Sequence, residues 1–292
     1  MSGYPVAARD LTVRFGATTA LDGATFDLPA GGLHGLLGRN GSGKTTLLST
    51  LAGLRTPSSG SVLVDGVDPF ENARVMGGTG LVRESGDLLS DASVRSNLRL
   101  LGDIRSTWHA DRADELVDLF RLDRRKAVSA LSRGQRSALG AVVGLASRAP
   151  LTILDEVYLG MDAPTRQLFY DLLLADVIEH PRTVILSSHL IGEIEHLLER
   201  VVILHAGRVL LSDEVDALRA KGVTLTGAAS AVAAAVDGLT VVATRDLGAT
   251  RQVTVFDDLD DARLARARSA GVDLGAVPLQ DLFIHLTGEE SR

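Results

Sequence analysis

The sequence predicts an α/β protein with a mixed sheet core, a helical insert and a small C-terminal α+β domain. Three observations lead to this fold class. Short apolar runs alternate with segments of helical periodicity through about the first 220 residues, as in sheets whose strands are joined by helices. Residues 38–45 (GRNGSGKT) have the spacing of a phosphate-binding loop. Beyond about Gly222 the composition shifts to alanine, valine and glycine, and a different pattern begins.

Length and composition limit the class of protein. A chain of 292 residues exceeds a typical single core, which favours two domains. Its 30 basic against 37 acidic residues give a net charge of −7, which argues weakly against sustained contact with nucleic acid. The absence of cysteine excludes disulfides, thiolate metal sites and cysteine catalysis. Residues 1–10 contain no apolar core of signal-peptide length, and no run reaches 18 consecutive apolar residues. We therefore expect a cytosolic chain that reaches a membrane only through a partner.

The elements of the first 220 or so residues follow from hydrophobic periodicity. Apolar runs predict strands at 11–15, 24–28, 33–37, 61–64, 81–82, 151–154, 183–186, 201–204 and 209–211. Helical spacing predicts helices at 46–51, within 90–126, at 132–147, at 164–178 and from 189 through 198. Ser132 is a favourable N-cap for the 132–147 helix. We expect a domain at 1–221, with its helical insert at about 88–148.

The remaining residues, 222–292, predict a small α+β domain. Two strands are expected at 240–244 and 252–256, a charged amphipathic helix at 258–270 and a terminal helix at 279–284. No pattern of catalytic or phosphate-binding residues occurs after Gly222. We therefore expect this domain to be regulatory or to stabilise a dimer.

The glycine-rich stretch matches every fixed position of the pattern G-x-x-x-x-G-K-[ST]. Glycines allow the backbone to wrap around an anion, and a following helix directs its positive end at the phosphates. Lys44 is expected to reach the β- and γ-phosphates, and the Thr45 hydroxyl to bind Mg²⁺. The predicted nucleotide-binding residues here are Gly38, Asn40, Gly41, Ser42, Gly43, Lys44, Thr45 and Thr46.

Two acidic residues directly follow the buried strand at 151–154. Asp155 is placed to bind magnesium, directly or through water, and Glu156 to polarise the attacking water as a general base. His189 follows a later strand, where its side chain is expected to hydrogen-bond the γ-phosphate. Lys44, Glu156 and His189 are the predicted catalytic residues.

Residues 131–135 (LSRGQ) form a second anion-binding element, since a serine N-cap and a glycine stand at a helix start. Two such elements in one chain suggest that one nucleotide contacts two protein surfaces. The second surface could belong to another subunit.

Together, GRNGSGKTT, LSRGQ, LTILDE, the loop ending at Asp162 and His189 resemble the ATPase subunit of an ATP-binding cassette (ABC) transporter. The resemblance covers residues from about 6 to 218. Residues 279–288 (LQDLFIHLTG) resemble the end of ABC ATPases that serve multidrug, antibiotic and polysaccharide exporters.

This resemblance implies a P-loop NTPase of ABC type that uses ATP and Mg²⁺. It implies a head-to-tail homodimer or heterodimer in which Ser132, Gly134 and Gln135 of one subunit cover the ATP of the other. Closure on ATP would drive a separately encoded membrane permease, which holds the protein at the cytoplasmic face of the membrane. No nucleic-acid partner is expected.

The resemblance also assigns roles outside the two anion-binding elements. Phe15 falls at the adenine-stacking position, and Asp162 at a loop that crosses the dimer interface. Thr45, Glu84 and Asp155 are the expected metal residues, with Glu84 in a loop that senses Mg²⁺ and contacts the permease. The exposed candidates Leu88 and Leu89 beside that loop are expected to dock a permease helix, with packing inside the insert as the alternative.

The sequence departs from the family pattern at three places, which involve four residues. Glu84 stands where the family has glutamine, Arg133 replaces the first glycine of LSGGQ, and Val157-Tyr158 replaces proline and a small hydroxyl residue. A binding switch that hydrolyses ATP slowly or not at all therefore remains an alternative, and ATP turnover distinguishes it.

A soluble ABC ATPase that acts on DNA or ribosomes is a further alternative. DNA-repair relatives need long coiled coils, for which the 90–126 insert is too short, and translation-type relatives carry two cassettes where this chain has one. The one candidate nucleic-acid patch is the basic run Arg121, Arg124, Arg125 and Lys126.

Overall fold

The computed structural model describes residues 3–83 and 88–287. The chain divides into two compact units. The first contains the residues up to His189 together with Leu197–Ser212, and the second contains Leu190–His196 and the residues from Asp213 onward. The boundary set by contacts comes before the predicted one at residue 222.

The first unit contains two sheets. Its strands are β1 (Val6–Phe15), β2 (Thr18–Leu28), β3 (Leu33–Leu37), β4 (Ser59–Val64), β5 (Thr79–Arg83), β6 (Leu151–Asp155), β7 (Thr183–Ser188), β8 (Arg200–His205) and β9 (Arg208–Glu214), of which the last two residues belong to the second unit. One sheet is antiparallel, in the order β2-β1-β4. The other has the order β5-β6-β7-β3-β8-β9, and its pairs from β5 to β8 are parallel.

Helices fill the connections between these strands. They are α1 (Lys44–Leu51), α2 (Ala73–Gly77), α3 (Val94–Ile104), α4 (Ala110–Leu119), α5 (Arg133–Ser147) and α6 (Ala163–Glu179), with a 3₁₀ turn at Val128–Ala130. The segment 88–148, predicted as a helical insert, contains α3, α4 and α5. The predicted α/β class with a mixed sheet core is confirmed.

The central strands β3, β6 and β7 are buried along their whole length. Parallel strands covered on both faces consist of nearly continuous apolar residues, which is why these runs were recognisable in the sequence. A core of residues from both sheets and α1, including Leu47, Leu48, Ile153 and Ile185, is almost fully excluded from solvent. The carboxyl ends of β3, β6 and β7 therefore extend from a buried core.

One helix prediction is wrong. Residues 189–198 were expected to be helical throughout, but only Ile191–Ile194 (α7) forms a short helix. The chain then turns, and the Glu199 backbone N–H donates to the Leu33 carbonyl at 2.9 Å. Pairing with the sheet has replaced continued helix.

The second unit is an α+β unit, as predicted. Beyond α7 it contains α8 (Val215–Lys221), β10 (Gly222–Ala228), α9 (Ala229–Ala235), β11 (Val241–Leu247), β12 (Thr250–Phe256), α10 (Asp261–Ser269), β13 (Asp273–Ala276) and α11 (Leu279–Thr287). From β10 to β13 the order βαββαβ and the antiparallel sheet β11-β12-β10-β13 form a ferredoxin-like arrangement. Strands β10 and β13 were not predicted, because glycine and threonine dilute the first and the second has four residues.

A membrane-spanning helix requires a minimum length and an apolar composition. In residues 3–83 and 88–287, no helix is long and apolar enough to cross a bilayer.

Candidate functional site

The glycine-rich loop connects β3 to α1. At two of its positions there is no room for a side chain, so glycine is required. A Cβ on Gly43 would lie 2.6 Å from the Ala20 carbonyl oxygen, and Gly43 has a φ of +106°. A Cβ on Gly38 would lie 2.4 Å from Ser42 Oγ. Because any side chain would collide at these two positions, the loop keeps its narrow curvature only with glycine.

Lys44 is the first residue of α1, and its side chain folds back across the loop. Its Nζ donates to the carbonyl oxygens of Gly38 at 2.8 Å and Arg39 at 3.3 Å. It also lies 3.3 Å from Glu156 Oε1. Lys44 is only 6% exposed. Its ammonium group is therefore a buried cation, in contact with three oxygens at the loop.

Asp155 and Glu156 stand at the carboxyl end of β6, beside Ser187 of β7. Register pairing places Asp155 next to Ser187, whose hydroxyl donates to Asp155 Oδ1 at 2.5 Å. The same hydroxyl accepts the Glu156 backbone N–H at 3.1 Å. Glu156 has a φ of +51°, an uncommon conformation for a residue with a side chain. One serine hydroxyl thus fixes both acidic residues at the strand end.

His189 follows β7 and faces Glu156. Its Nδ1 lies 3.1 Å from Glu156 Oε1, the oxygen that also contacts Lys44. Tyr158 OH lies 3.4 Å from the same ring nitrogen and accepts the His189 backbone N–H at 3.3 Å. The three residues predicted to be catalytic therefore meet at one carboxylate oxygen.

An open cleft of about 600 Å³ lies at the loop. Its lining residues are Arg39, Asn40, Gly41, Ser42, His189, His205 and Ala206. The turn after β8 closes one side, since the Gly207 backbone N–H donates to the Ser42 carbonyl at 3.1 Å. The loop and the strand ends thus border a single cleft.

The loop fits the phosphates of a nucleotide. Ser42 Oγ is buried, and in the part of the chain that the structure describes it has no hydrogen-bond partner. A buried hydroxyl without a partner is costly, and a phosphate oxygen is a suitable acceptor. The predicted residues Asn40 and Gly41 are exposed at the cleft, and Thr46 is half-buried in the first turn of α1.

The donors for Mg²⁺ are a hydroxyl and a carboxylate. Thr45 is exposed in the first turn of α1, and Asp155 Oδ2 makes no hydrogen bond with any residue within 3–83 and 88–287. Across the same residues no three His, Asp or Glu side chains gather as a metal cage. Few protein oxygens combined with substrate phosphates are characteristic of Mg²⁺ sites. Glu84, the third expected metal residue, lies outside the described residues.

The second anion-binding element starts α5. Ser132 Oγ accepts the Gln135 backbone N–H at 3.2 Å, and Gln135 Oε1 accepts the Ser132 N–H at 3.1 Å, so the predicted N-cap is confirmed as a capping box. A Cβ on Gly134 would lie 2.5 Å from the Gly160 carbonyl oxygen. Arg133 is exposed, and its aliphatic carbons lie against Gly160.

Ser132, Gly134 and Gln135 do not line the cleft at the phosphate-binding loop. This element packs against the loop at residues 159–161, where the Ser137 hydroxyl donates a hydrogen bond to the Leu159 carbonyl. Asp162 ends that loop as the N-cap of α6 and accepts the Thr165 backbone N–H at 2.9 Å. Hydrogen bonds from the Thr165 side chain and backbone lower the pKa of Asp162.

Phe15 ends β1 with 44% of its surface exposed. The Arg55 guanidinium carbon lies 4.1 Å from the centre of its ring, within cation–π distance. One face of the aromatic ring is therefore already in contact with a cation.

The sequence interpretation missed three residues at the site. Ser187 could have been found, because it precedes His189 at a predicted strand end. Tyr158 and His205 gave no such signal, since only tertiary packing brings the tyrosine hydroxyl to His189 and the end of β8 to the loop.

Comparison with known proteins places this geometry in a family. A family model described as ABC transporter matches residues 21–158. The daunorubicin resistance ATP-binding protein DrrA3 of Streptomyces coeruleorubidus is 31% identical, over 96% of this chain and 94% of that protein. The bacitracin transport ATP-binding protein BcrA of Bacillus licheniformis is 30% identical, over 73% of this chain and 71% of that protein.

Solved structures show the same fold. The structure of an ATP-binding subunit of an ABC transporter superimposes with a TM-score of 0.67 at 24% identity, covering 73% of this chain and 91% of that one. The chain therefore belongs to the ABC transporter family, as an ATP-binding subunit of the ABC ATPase type.

Proposed function

We propose that this ATPase drives a separately encoded membrane permease in the direction of export. The export direction is supported by the relative named for daunorubicin resistance, which matches along nearly the whole chain, including the second unit. Relatives named as import proteins also occur, and the methionine import protein of Rhizobium etli matches 70% of this chain. The protein would act at the cytoplasmic face of the membrane, held there by its permease.

The observation that carries the mechanism is the shared oxygen of Glu156. Lys44 and His189 both contact Oε1, and across residues 3–83 and 88–287 Oε2 has no hydrogen-bond partner. A carboxylate held through one oxygen keeps the other to accept a proton from water. We assign Glu156 as the general base, Lys44 as the cation that binds the β- and γ-phosphates, and the cleft-facing His189 as a γ-phosphate contact.

Thr45 and Asp155 would hold Mg²⁺, which when bound neutralises charge on the phosphate oxygens. Ser187 keeps Asp155 in place by bonding Oδ1, which leaves Oδ2 for the ion. Phe15 would stack on the adenine ring.

A head-to-tail dimer, of identical or different subunits, would complete the site. Ser132, Gly134 and Gln135 lie on α5 and do not line the cleft of their own chain, so a second subunit is the proposed route by which they reach ATP. Binding would close the dimer, and hydrolysis would reopen it. The second unit is proposed to regulate or stabilise this dimer.

The permease contact is proposed at the start of the helical insert. Leu89 is 57% exposed, whereas Leu88, also expected to be exposed, is half-buried. The buried Asn97 side chain bonds both the N–H and the carbonyl of Leu89, at 2.8 and 3.1 Å. This fixed backbone presents the Leu89 side chain to a partner.

The nucleic-acid alternative is weakened because Arg124, one residue of the basic run, pairs with nearby aspartates. Arg124 lies 3.3 Å from Asp114 Oδ1 and also pairs with Asp118. The pairing lowers the pKa of Asp118, so this carboxylate stays charged. The patch therefore presents less positive charge than its sequence suggests.

The test is Glu156→Gln, which keeps the side-chain shape and removes the base. We expect the variant to retain ATP and lose turnover by about 10²-fold, roughly 2.7 kcal/mol of transition-state stabilisation. Lys44→Ala should instead lose much of the binding. Glu179→Gln, an exposed change on α6, is the matched control. Equal ATPase rates for wild type and Glu156→Gln would refute the assignment, and no turnover in wild type would favour the binding switch.

A further inference from the structure

A buried tyrosine lies behind the ring of His189. Tyr158 is fully buried, and a buried tyrosine requires a partner for its hydroxyl. The hydroxyl oxygen lies 2.9 Å from Ser188 Oγ and accepts the backbone N–H of His189 at 3.3 Å. It also lies 3.4 Å from His189 Nδ1. One hydroxyl therefore contacts both the main chain and the ring of His189.

The tyrosine is itself held in place by aromatic packing. Its ring centre lies 6.3 Å from those of both His189 and Tyr170. Tyr170 packs in turn on Phe169, at 5.5 Å, and both residues belong to α6 and are at most 2% exposed. Because Phe169 and Tyr170 are buried in α6, their packing holds the Tyr158 hydroxyl behind the histidine.

The contacts on Nδ1 set the orientation of the His189 ring. Nδ1 is directed at Glu156 Oε1 and Tyr158 OH. Nε2 makes no hydrogen bond with any residue that the structure describes, and His189 lines the cleft. A ring flip would put the carbon Cδ2 where Nδ1 lies and so separate Nδ1 from both partners.

We propose that Tyr158 is a positioning residue for ATP hydrolysis, holding His189 so that Nε2 faces the phosphates. Tyr158 acts through His189 and does not contact nucleotide. The proposal rests on the function proposed above for His189. It predicts that removing the tyrosine hydroxyl affects turnover and leaves ATP binding in place.

The kinetic test is a double-mutant cycle of Tyr158→Phe and His189→Gln in the full chain, with kcat and KM for ATP measured. Tyr158→Phe should lower kcat by about 10-fold, with KM within about twofold of wild type. In the His189→Gln background it should have no further effect. Tyr170→Phe, which also removes a buried tyrosine hydroxyl from the cluster, should leave kcat unchanged. Independent, multiplicative effects of Tyr158→Phe and His189→Gln would overturn the proposal.

A second measurement does not depend on catalysis. The ring nitrogens of His189 are followed by ¹⁵N NMR, with assignment from the His189→Gln spectrum. Tyr158→Phe should shift them, and Tyr170→Phe should not. Unchanged His189 resonances in Tyr158→Phe would overturn the positioning role, even if turnover fell. If they shift while His189→Gln keeps the full rate, the contact exists but the role of His189 in hydrolysis fails, and the proposal with it. The Glu156→Gln result stays independent of that outcome.

Discussion

At the scale of single residues, the site depends on a few atoms that serve two neighbours at once. Ser187 Oγ joins Asp155 to the Glu156 backbone, and Glu156 Oε1 joins Lys44 to His189. A shared atom fixes two groups relative to each other, so the groups proposed to be catalytic have little freedom.

A pH-dependent contribution to stability arises at His34, in the strand that leads into the loop. Its side chain is fully buried, with Nε2 3.2 Å from the Pro29 carbonyl oxygen. Burial lowers the pKa of His34 from its ordinary value of 6.5, in spite of that hydrogen bond and nearby Glu199. The unfolded chain therefore binds a proton more readily than the folded one. The contribution is complete above pH 6.5 and is lost as the pH falls below it.

We expect the difference in unfolding free energy between wild type and His34→Gln to be constant above about pH 6.5 and to change in favour of the variant below it. Chemical denaturation at several pH values between about 5 and 8 measures this difference. A difference that stays constant over the whole range would show that His34 is not the titrating group.

At the scale of elements, a buried ion cluster joins the helical insert to the sheet. Asp176 of α6 is 1% exposed and accepts a hydrogen bond at 2.6 Å from Arg182, the residue before β7. Arg148, after α5, lies 3.3 Å from the same carboxylate, and Arg112 of α4 lies 3.8 Å away. One carboxylate therefore forms ion pairs with three arginines from different parts of the chain.

Asp176→Asn should destabilise the protein strongly, by about 3–5 kcal/mol, because it leaves the buried guanidinium of Arg182 without its counter-charge. Asp171→Asn is the control. Asp171 is exposed on the same helix, and its change should cost no more than about 0.5 kcal/mol. Denaturation midpoints with unchanged m-values measure both. Equal costs would show that the cluster does not contribute through its buried charge.

At the scale of the whole molecule, the two units differ in what they contain. The first carries all the predicted phosphate, metal and catalytic residues that the structure describes, and the second carries a ferredoxin-like unit with its own core around Leu225, Val253 and Val255. Helix α8 precedes the predicted boundary at residue 222, yet it belongs to the second unit, where it contacts β10 and α11.

Two shortened chains distinguish the boundary set by contacts, at Asp213, from the predicted boundary at residue 222. A chain ending at Glu214 should bind ATP with nearly wild-type affinity and differ in dimerisation. A chain ending at Lys221 should also bind ATP but aggregate more, since Val215 and Leu218, buried in the full protein, lose their covering residues. Nucleotide titration and light scattering measure both properties. Loss of ATP binding by a folded Glu214 chain would show that the second unit is needed for the site.

The sequence by itself determined the loop, the strand before it, the capped helix at Ser132 and the acidic pair after β6. These depend on local rules: glycine conformation, the N-cap hydrogen bond and the continuous apolar runs of buried parallel strands. Tertiary structure alone decided that Lys44 and His189 meet at one oxygen of Glu156, and that Tyr158 reaches His189. Those contacts join residues more than thirty positions apart in the sequence, and they arise because parallel pairing brings the ends of β3, β6 and β7 to one edge of the sheet. Hydrophobic periodicity reports which face of an element is buried, and it carries no information about which strands become neighbours.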